Sequence, residues 1–324
     1  MHFSIVVNGT GHAFLREFGC SCERCLSAGH RANTSVSIIG RNEKSGLICW
    51  HALVDVGLGV VTSLCDLFRP ADARLDWLLL THWHPDHCLE LNRLGETMRR
   101  LSRARGEEKF RRIPTWVRTG TACWLQKNNS YEWHRCLKPL VSGEQSPPGT
   151  LLDPIPVEPE ELVITPVSVS HVTADIDHVT FKETFHSSAS FVVEAGNRKA
   201  VLLWDLDNGN DWIMNPDSRE REDAVNLMSD ADYLFIDCLT WGVEEVRGHN
   251  TGHLSFGTVR KYAAKLRPRQ TLLVHLSGHE DGEGAGRGWS DERWTDEAGR
   301  VWREEGLPGT VGVPGIADEF SLRA

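Results

Sequence analysis

The chain has 324 residues, of which 40% are hydrophobic and 25% are charged, a balance typical of globular proteins with a sizeable core. Its formal net charge of −10 argues against a nucleic-acid partner, because such partners require a positive surface. No apolar run reaches the roughly 18–20 residues that cross a membrane, and Met1–Val7 lacks the basic start of a signal peptide. We therefore expect a cytoplasmic protein without a membrane partner.

Short β-branched and aliphatic runs recur along the chain. They predict strands at Phe3–Asn8, Ser35–Ile39, Leu47–Val56, Trp77–His82, Thr115–Arg118, Leu162–Ser170, Ser188–Glu194, Ala200–Asp205, Tyr233–Asp237 and Thr271–His275. Helical periodicity lies between some of these runs, at Asp86–Arg103, Arg219–Ser229 and Ser255–Leu266. Because helices and strands are interleaved, two packed sheets with helices outside them satisfy the order.

Two stretches depart from this regular pattern. Residues 105–159 contain Ser146-Pro147-Pro148-Gly149, which indicates an elaborated connection between strands. Residues 282–324 are rich in glycine and charge, and the eight-residue spacing of Trp294 and Trp302 predicts a packed terminal helix. We interpret both stretches as parts of one domain that spans residues 1–324.

Seven basic residues lie between Arg99 and Arg112 in this acidic chain. The simpler interpretation is a solvated helix end followed by a loop. The alternative is a rim that attracts an anionic substrate towards an active site.

The run Thr81-His82-Trp83-His84-Pro85-Asp86-His87 has the strongest chemical signal in the chain. It follows the apolar run Trp77–Leu80, so a buried strand delivers these side chains to its carboxyl end, and Pro85 can begin a helix. In an extended strand His82 and His84 point to the same side, and Asp86 and His87 can reach a second ion. Imidazole and carboxylate together favour metals such as zinc.

Further ligands should lie at other strand ends. His171 follows the alternating run Val163–Ser170, Asp205 follows Val201–Trp204, and His275 follows Thr271–Val274. An aspartate in this place can bridge two ions. His186, which precedes Ser187–Phe191, competes with His171, whereas His178 between them is interpreted as a loop residue.

Three of the nine cysteines crowd into the pattern C-x-C-x-x-C, as Cys20, Cys22 and Cys25. Thiolates at this spacing predict a zinc site rather than a disulfide in a reducing compartment. A tetrahedral site needs a fourth ligand, and His279 is the candidate.

The order HxHxDH, then His, Asp and His at strand ends, resembles the metallo-β-lactamase superfamily. The resemblance implies an α+β fold, a four-layer αββα sandwich with metals at one edge of the sheets. It implies one ion on His82, His84 and His171, a second on Asp86, His87 and His275, and Asp205 as the bridge. Zinc, manganese and iron all tolerate these ligands.

The cysteine cluster narrows the resemblance to the phosphoribosyl cyclic phosphate phosphodiesterases of phosphonate breakdown. In that family a histidine shortly after the last active-site histidine completes a structural zinc site. Two residues separate those histidines there, whereas three separate His275 from His279 here. A related cysteine pattern occurs in pyrroloquinoline quinone biosynthesis proteins, which lack the full HxHxDH run.

The resemblance implies a dinuclear hydrolase that cleaves a small anionic phosphodiester, cyclic or nucleotide-like, through a metal-bridging hydroxide. Asp86 would orient the hydroxide, and His253 would assist the leaving oxygen, with His249 as its competitor. The alternatives are an ester, lactone or thioester hydrolase of the same fold, or a non-catalytic accessory protein with only the structural zinc. Whether the chain forms a homodimer is left open by the sequence.

Overall fold

A computed structural model describes residues 1–27, 29–143, 146–175, 186–242, 252–277, 279–281 and 284–323. The described residues form thirteen strands: β1 His2–Gly9, β2 Ser35–Arg41, β3 Ile48–Val54, β4 Trp77–Leu79, β5 Ile113–Arg118, β6 Leu137–Ser142, β7 Leu162–Ser168, β8 Ala189–Ala195, β9 Arg198–Leu203, β10 Tyr233–Asp237, β11 Gln270–Val274, β12 Thr310–Gly312 and β13 Glu319–Ser321.

The described residues also form ten α-helices: α1 Glu23–Leu26, α2 Val60–Leu67, α3 Pro85–Cys88, α4 Leu91–Ala104, α5 Thr119–Asn128, α6 Ser130–Arg135, α7 Val172–Asp175, α8 Arg219–Met228, α9 Phe256–Leu266 and α10 Asp291–Glu304. Short 3₁₀ helices lie at Asn208–Ile213 and His279–Asp281. Of the helices in these described ranges, none has the length and hydropathy of a membrane-spanning segment.

The strands form two mixed sheets. The first has the order β13-β1-β2-β3-β4-β5-β6, antiparallel as far as β3 and parallel beyond it. The second has the order β12-β11-β10-β9-β8-β7, parallel from β12 to β9 and antiparallel from there. Parallel strands bring their carboxyl ends to one edge, where loops can converge on a site.

Successive side chains of each strand point to opposite faces of its sheet, and this alternation produces three apolar layers. In β9, Ala200 and Leu202 face the space between the sheets, whereas Val201 and Leu203 face the outer helices. The outer face of the second sheet packs against α8, α9 and α10, and that of the first sheet against α2, α4 and α5. The fold is therefore the four-layer αββα sandwich that the resemblance implied.

The predicted strands are present, but the boundaries near the HxHxDH run differ. β4 ends at Leu79 rather than His82, because Thr81 donates its N–H and its hydroxyl to Asp55 instead of continuing the sheet. The expectation that His82 and His84 share one side of a strand is therefore wrong, since both lie in the following loop. The helix predicted at Asp86–Arg103 is divided into α3 and α4, because the Glu90 N–H bonds to the Val56 carbonyl.

The two irregular stretches join the sheets. Within residues 105–159, β5 and β6 extend the first sheet, with α5 and α6 between them. β6 was not predicted, because its sequence, LKPLVS, contains a proline and because the strand lies at a largely exposed edge of the sheet. At the C-terminus, β12 joins the second sheet and β13 the first, and Trp294 and Trp302 are buried on α10 as predicted. These pairings support the proposal of one domain.

Candidate metal centre

The candidate ligands converge where the carboxyl ends of β3, β9 and β11 meet the loop after β4. Three non-glycine residues just beyond these strands, Asp55, Asp205 and His275, adopt left-handed backbone with φ of 60°, 57° and 60°. Such conformations are costly and cluster at functional sites. They turn three polar side chains towards one another at the sheet edge.

The first donor set consists of His82, His84 and His171, which place one ring nitrogen each within 4.8 Å of the others. His171 Nε2 lies 3.2 Å from His84 Nδ1. The competing His186 is half-buried and lies outside this set, whereas His178 lies outside the described residues. The structure therefore brings His171, rather than His186, to His82 and His84.

The second donor set consists of Asp86, His87, Asp205 and His275. His87 Nε2 lies 3.0 Å from Asp205 Oδ2 and 3.2 Å from Asp86 Oδ2. His275 Nε2 lies 3.2 Å from Asp86 Oδ2 and 3.2 Å from Asp205 Oδ1. Four donor atoms thus surround one small volume next to the first set, whose His82 ring lies 4.3 Å from that of His87.

Unused hydrogen-bonding capacity shows that both sets fit a cation. In the described part of the chain, His82 Nε2, His87 Nε2 and both Asp205 carboxylate oxygens are buried without a partner in hydrogen-bonding geometry. Unpaired buried polar atoms are costly, and a metal ion would satisfy them. Neutral imidazole plus carboxylate is a donor set that suits zinc, manganese or iron.

The electrostatics of the second set agree with this fit. Burial alone would lower the pKa of His87, but the carboxylates of Asp205, Asp86 and Asp55 raise it well above its ordinary value. The pocket thus favours an added positive charge, which a divalent ion would supply in place of a proton. In the first set, burial and the neighbouring histidines hold the pKa of His82 well below its ordinary range, so this imidazole is neutral and able to ligate.

Asp55 is a residue of the centre that the sequence reasoning missed. Its carboxylate accepts from the Thr81 N–H and hydroxyl and from Trp204 Nε1 at 2.8–3.0 Å, and lies 2.8 Å from His87 Nδ1. It orients His87 from behind rather than belonging to either donor set. The signal that pointed to Asp205, an aspartate just after a buried strand, was also present at Asp55 in Leu53-Val54-Asp55.

His253 lies beside both donor sets. Its ring is 5.2 Å from that of His171 and 4.8 Å from that of His275, and its Nδ1 lies 3.1 Å from Asp237 Oδ2. Burial alone would lower the pKa of His253, but Asp237 and the nearby Asp205 and Asp86 raise it to about 9. The competing His249 lies outside the described residues.

Two neighbours of His253 were also missed. Asp237, the last residue of β10, anchors His253 and also accepts from the Leu206 N–H. His12, beyond β1, is buried with its ring edge-on to His253 at 5.5 Å and to His275 at 5.0 Å. Burial and the two neighbouring histidines lower the pKa of His12 to about 3, so this imidazole is neutral. Neither residue belongs to a recognisable sequence motif.

The predicted structural zinc residues also come together. His279 Nε2 lies 3.6, 3.3 and 3.4 Å from the sulfurs of Cys20, Cys22 and Cys25. Ligands of a tetrahedral zinc ion with ordinary Zn–S and Zn–N bonds are separated by about 3.5 Å, so the four atoms fit that ion. The other ring nitrogen, Nδ1, lies 3.1 Å from the Ser277 hydroxyl, which fixes the ring orientation.

Comparison with known proteins decides the family. The model of the beta-lactamase superfamily domain matches residues 52–276, more than two-thirds of the chain. The chain belongs to the metallo-β-lactamase superfamily. No curated protein sequence matches it significantly. The matched residues run from β3 to the residue after His275 and so contain both donor sets of this superfamily member.

Solved structures of the superfamily share the fold at low sequence identity. The metallo-β-lactamase fold protein YhfI from Bacillus subtilis is 14% identical with a TM-score of 0.63, covering 99% of this chain and 100% of its own. A diphosphatase of the PhnP family is 17% identical with a TM-score of 0.64, covering 99% and 97%. Zn²⁺-bound PqqB from Methylobacterium extorquens is 16% identical with a TM-score of 0.63, covering 99% and 99%.

Proposed function

We propose that this metallo-β-lactamase superfamily member is a dinuclear metal-dependent hydrolase that cleaves a phosphodiester or diphosphate bond in a small anionic substrate. The observation that carries the proposal is the pair of adjacent donor sets with unpaired buried atoms at the strand ends. The similarity in fold to a PhnP-family diphosphatase supports the substrate class.

The proposed ligands divide between two ions. His82, His84 and His171 would hold one, and Asp86, His87 and His275 the other. Asp205, which belongs to the second donor set, is proposed as the ligand that the two ions would share. Two divalent ions lower the pKa of a coordinated water towards neutrality and stabilise charge on a phosphoryl group. Zinc is the first candidate for both sites, with manganese or iron as alternatives, and a further zinc would occupy the cysteine cluster.

The remaining residues of the site would position groups and protons. Asp55 holds His87 in one orientation, and Asp237 holds His253 through Nδ1. The second nitrogen of the His253 ring, Nε2, is then able to donate a proton to the oxygen that leaves. His253 lies beside both donor sets, with its ring 5.2 Å from that of His171 and 4.8 Å from that of His275, and is therefore placed to act on a substrate bound there.

The test uses the full chain loaded with zinc or manganese and a panel of cyclic and linear phosphodiesters and diphosphates. We expect turnover, and we expect His84→Ala to lower kcat/KM at least about a hundredfold while the chain stays folded. His186→Ala, which removes the competing histidine outside the donor sets, should keep wild-type activity. Absence of turnover across the whole panel in the metal-loaded chain would contradict the substrate class.

Metal counting separates this proposal from the accessory protein. Three ions per chain support the enzyme, whereas a single zinc bound by the cysteine cluster supports the accessory. Hydrolysis of carboxylic esters, lactones or thioesters, measured on the same preparation without turnover of phosphodiesters, would assign the alternative enzymatic function.

A further inference from the structure

A basic cavity lies at the edge of the first sheet opposite the metal centre. Arg111 and Arg112 precede β5 and Arg135 precedes β6, at the amino ends of strands that run parallel to β4. α4 begins shortly after the α3 ligands, and its 14 residues carry the chain about 20 Å away from them. The cluster between Arg99 and Arg112 is therefore no rim of the metal site.

In the folded chain the basic residues line a cavity. A cavity of about 740 Å³ is walled by residues of the α4–β5 connection and the end of α6. Its basic side chains are Arg99, Arg103, Lys109, Arg111, Arg112 and Arg135. Its two carboxylates are Glu107 and Glu108, and Glu107 already accepts a hydrogen bond of 2.6 Å from Ser102.

Most of these cations lack a counter-charge. Arg99 pairs with Glu96, but within the described ranges Arg103, Lys109, Arg111 and Arg135 form no ion pair. The neighbouring cavity of about 530 Å³ shares Arg111 and Arg112 with this one and also contains Arg74, which is paired with Asp76 at 2.7 Å. In a chain of net charge −10, so many unpaired cations around one concavity concentrate a positive field that suits a multivalent anion.

We propose that this cavity, defined by Arg103, Lys109, Arg111, Arg112 and Arg135, binds a small oligophosphate as a second ligand remote from the metal centre. Its volume lies in the range of small-molecule sites. Planar guanidinium groups pair with two oxygens of one anionic group, and an oligophosphate offers several such groups and several negative charges to several arginines at once, unlike a halide or a single carboxylate. A long nucleic acid would also meet the acidic remainder of the surface, so a short phosphate chain is favoured.

Free triphosphate and a nucleoside triphosphate share this chemistry. Phe110 and His134 also line the cavity and offer ring surfaces to a base. Both ligands are therefore included in the test, and either one binding through the cavity arginines supports the proposal.

The experiment is calorimetric titration of the zinc-loaded full chain with inorganic triphosphate and with ATP at about 0.1 M salt. The cavity variant is Arg103→Ala/Arg111→Ala/Arg135→Ala, which removes exposed side chains without breaking an ion pair in the described structure. Its matched control is Arg219→Ala/Arg303→Ala/Arg323→Ala, which removes the same charge from exposed positions elsewhere. Metal content is measured after each titration, because triphosphate can chelate zinc.

We expect the cavity variant to bind triphosphate at least about tenfold more weakly and the control variant to change less than about twofold. The same loss should persist in a His84→Ala background, since the cavity is separate from the metal centre. The proposal is overturned if binding disappears in His84→Ala but survives in the cavity variant. It is also overturned if orthophosphate binds as tightly as triphosphate, or if single-stranded RNA binds through these arginines far more tightly than either triphosphate.

Discussion

His87 Nδ1 lies 2.8 Å from Asp55 Oδ2, and both side chains are fully buried although 32 residues separate them in sequence. Asp55 is itself held by Thr81 and Trp204, so one carboxylate connects the loop after β4, the end of β3 and the second sheet. The contact leaves His87 Nε2 directed at Asp86 and Asp205. A residue outside both donor sets thus sets the orientation of a candidate ligand.

Asp55→Asn should weaken metal binding at the second donor set about 10- to 100-fold. The amide neither fixes the His87 tautomer nor carries the negative charge of the Asp55 carboxylate. Competition with a coloured chelator, combined with counting of ions per chain, measures the change. Asp66→Asn, at an exposed position of α2, is the control and should bind like wild type. Equal affinity in Asp55→Asn and wild type would show that Asp55 does not position His87.

Cys22→Ser should remove one zinc ion per chain and lower the melting temperature by several degrees or more, since a structural zinc contributes directly to folding. The cluster joins the N-terminal loop to His279 far along the chain, so its loss frees both segments. Elemental analysis and thermal unfolding measure the two effects. Cys65→Ser, at an exposed cysteine, should change neither quantity. Retention of all zinc by Cys22→Ser would contradict the Cys₃His site.

Gly288→Ala should disturb the same cluster without removing a ligand. A Cβ on Gly288 would lie 2.4 Å from Cys22 Sγ, and the residue has a φ of +56°, which alanine rarely adopts. We expect a lower melting temperature and weaker zinc retention against a chelator. Gly299→Ala, on α10, is the comparison, since its Cβ would approach only the flexible end of Arg303 at 3.3 Å. A wild-type melting temperature for Gly288→Ala would show that the close packing of this loop is unimportant.

His51 should make stability depend on pH. Its burial lowers its pKa from 6.5 to about 4, with Ser37 and the Arg74 carbonyl as partners. The unfolded chain therefore binds this proton more readily than the folded chain. The stabilisation from a neutral His51 is complete above about pH 6.5 and is lost as pH falls towards about 4, by roughly 2–3 kcal/mol.

Urea unfolding at several pH values tests this dependence. In His51→Gln the free energy of unfolding should fall less between pH 7 and pH 4.5 than in wild type, by about the same roughly 2–3 kcal/mol. His134→Gln, which changes an exposed histidine, should keep the wild-type slope. An unchanged slope in His51→Gln would mean that His51 is not the titrating group.

The strands and helices differ in how strongly their local sequence specifies them, for physical reasons. Buried strands such as β9 and β10 were predictable because two apolar faces leave continuous Val, Leu and Ile runs. β6 was missed because it lies at a largely exposed edge, and β12 and β13 because each has only three residues, so little apolar pattern marks them. The break between α3 and α4 depends on a bond from Glu90 to Val56, which no local pattern contains.

Local sequence was sufficient to predict the donor types of the HxHxDH run and the grouping of the three cysteines, because close spacing alone brings those side chains together. Tertiary structure decided the rest. It places His171 rather than His186 beside His82 and His84, and it surrounds the candidate ligands with Asp55, Asp237 and His12. It also places the Arg99–Arg112 cluster at the opposite edge of the sheet. The physical reason is that long-range strand pairing and sheet packing determine which strand ends meet. The sequence of one strand does not specify which strand will lie beside it.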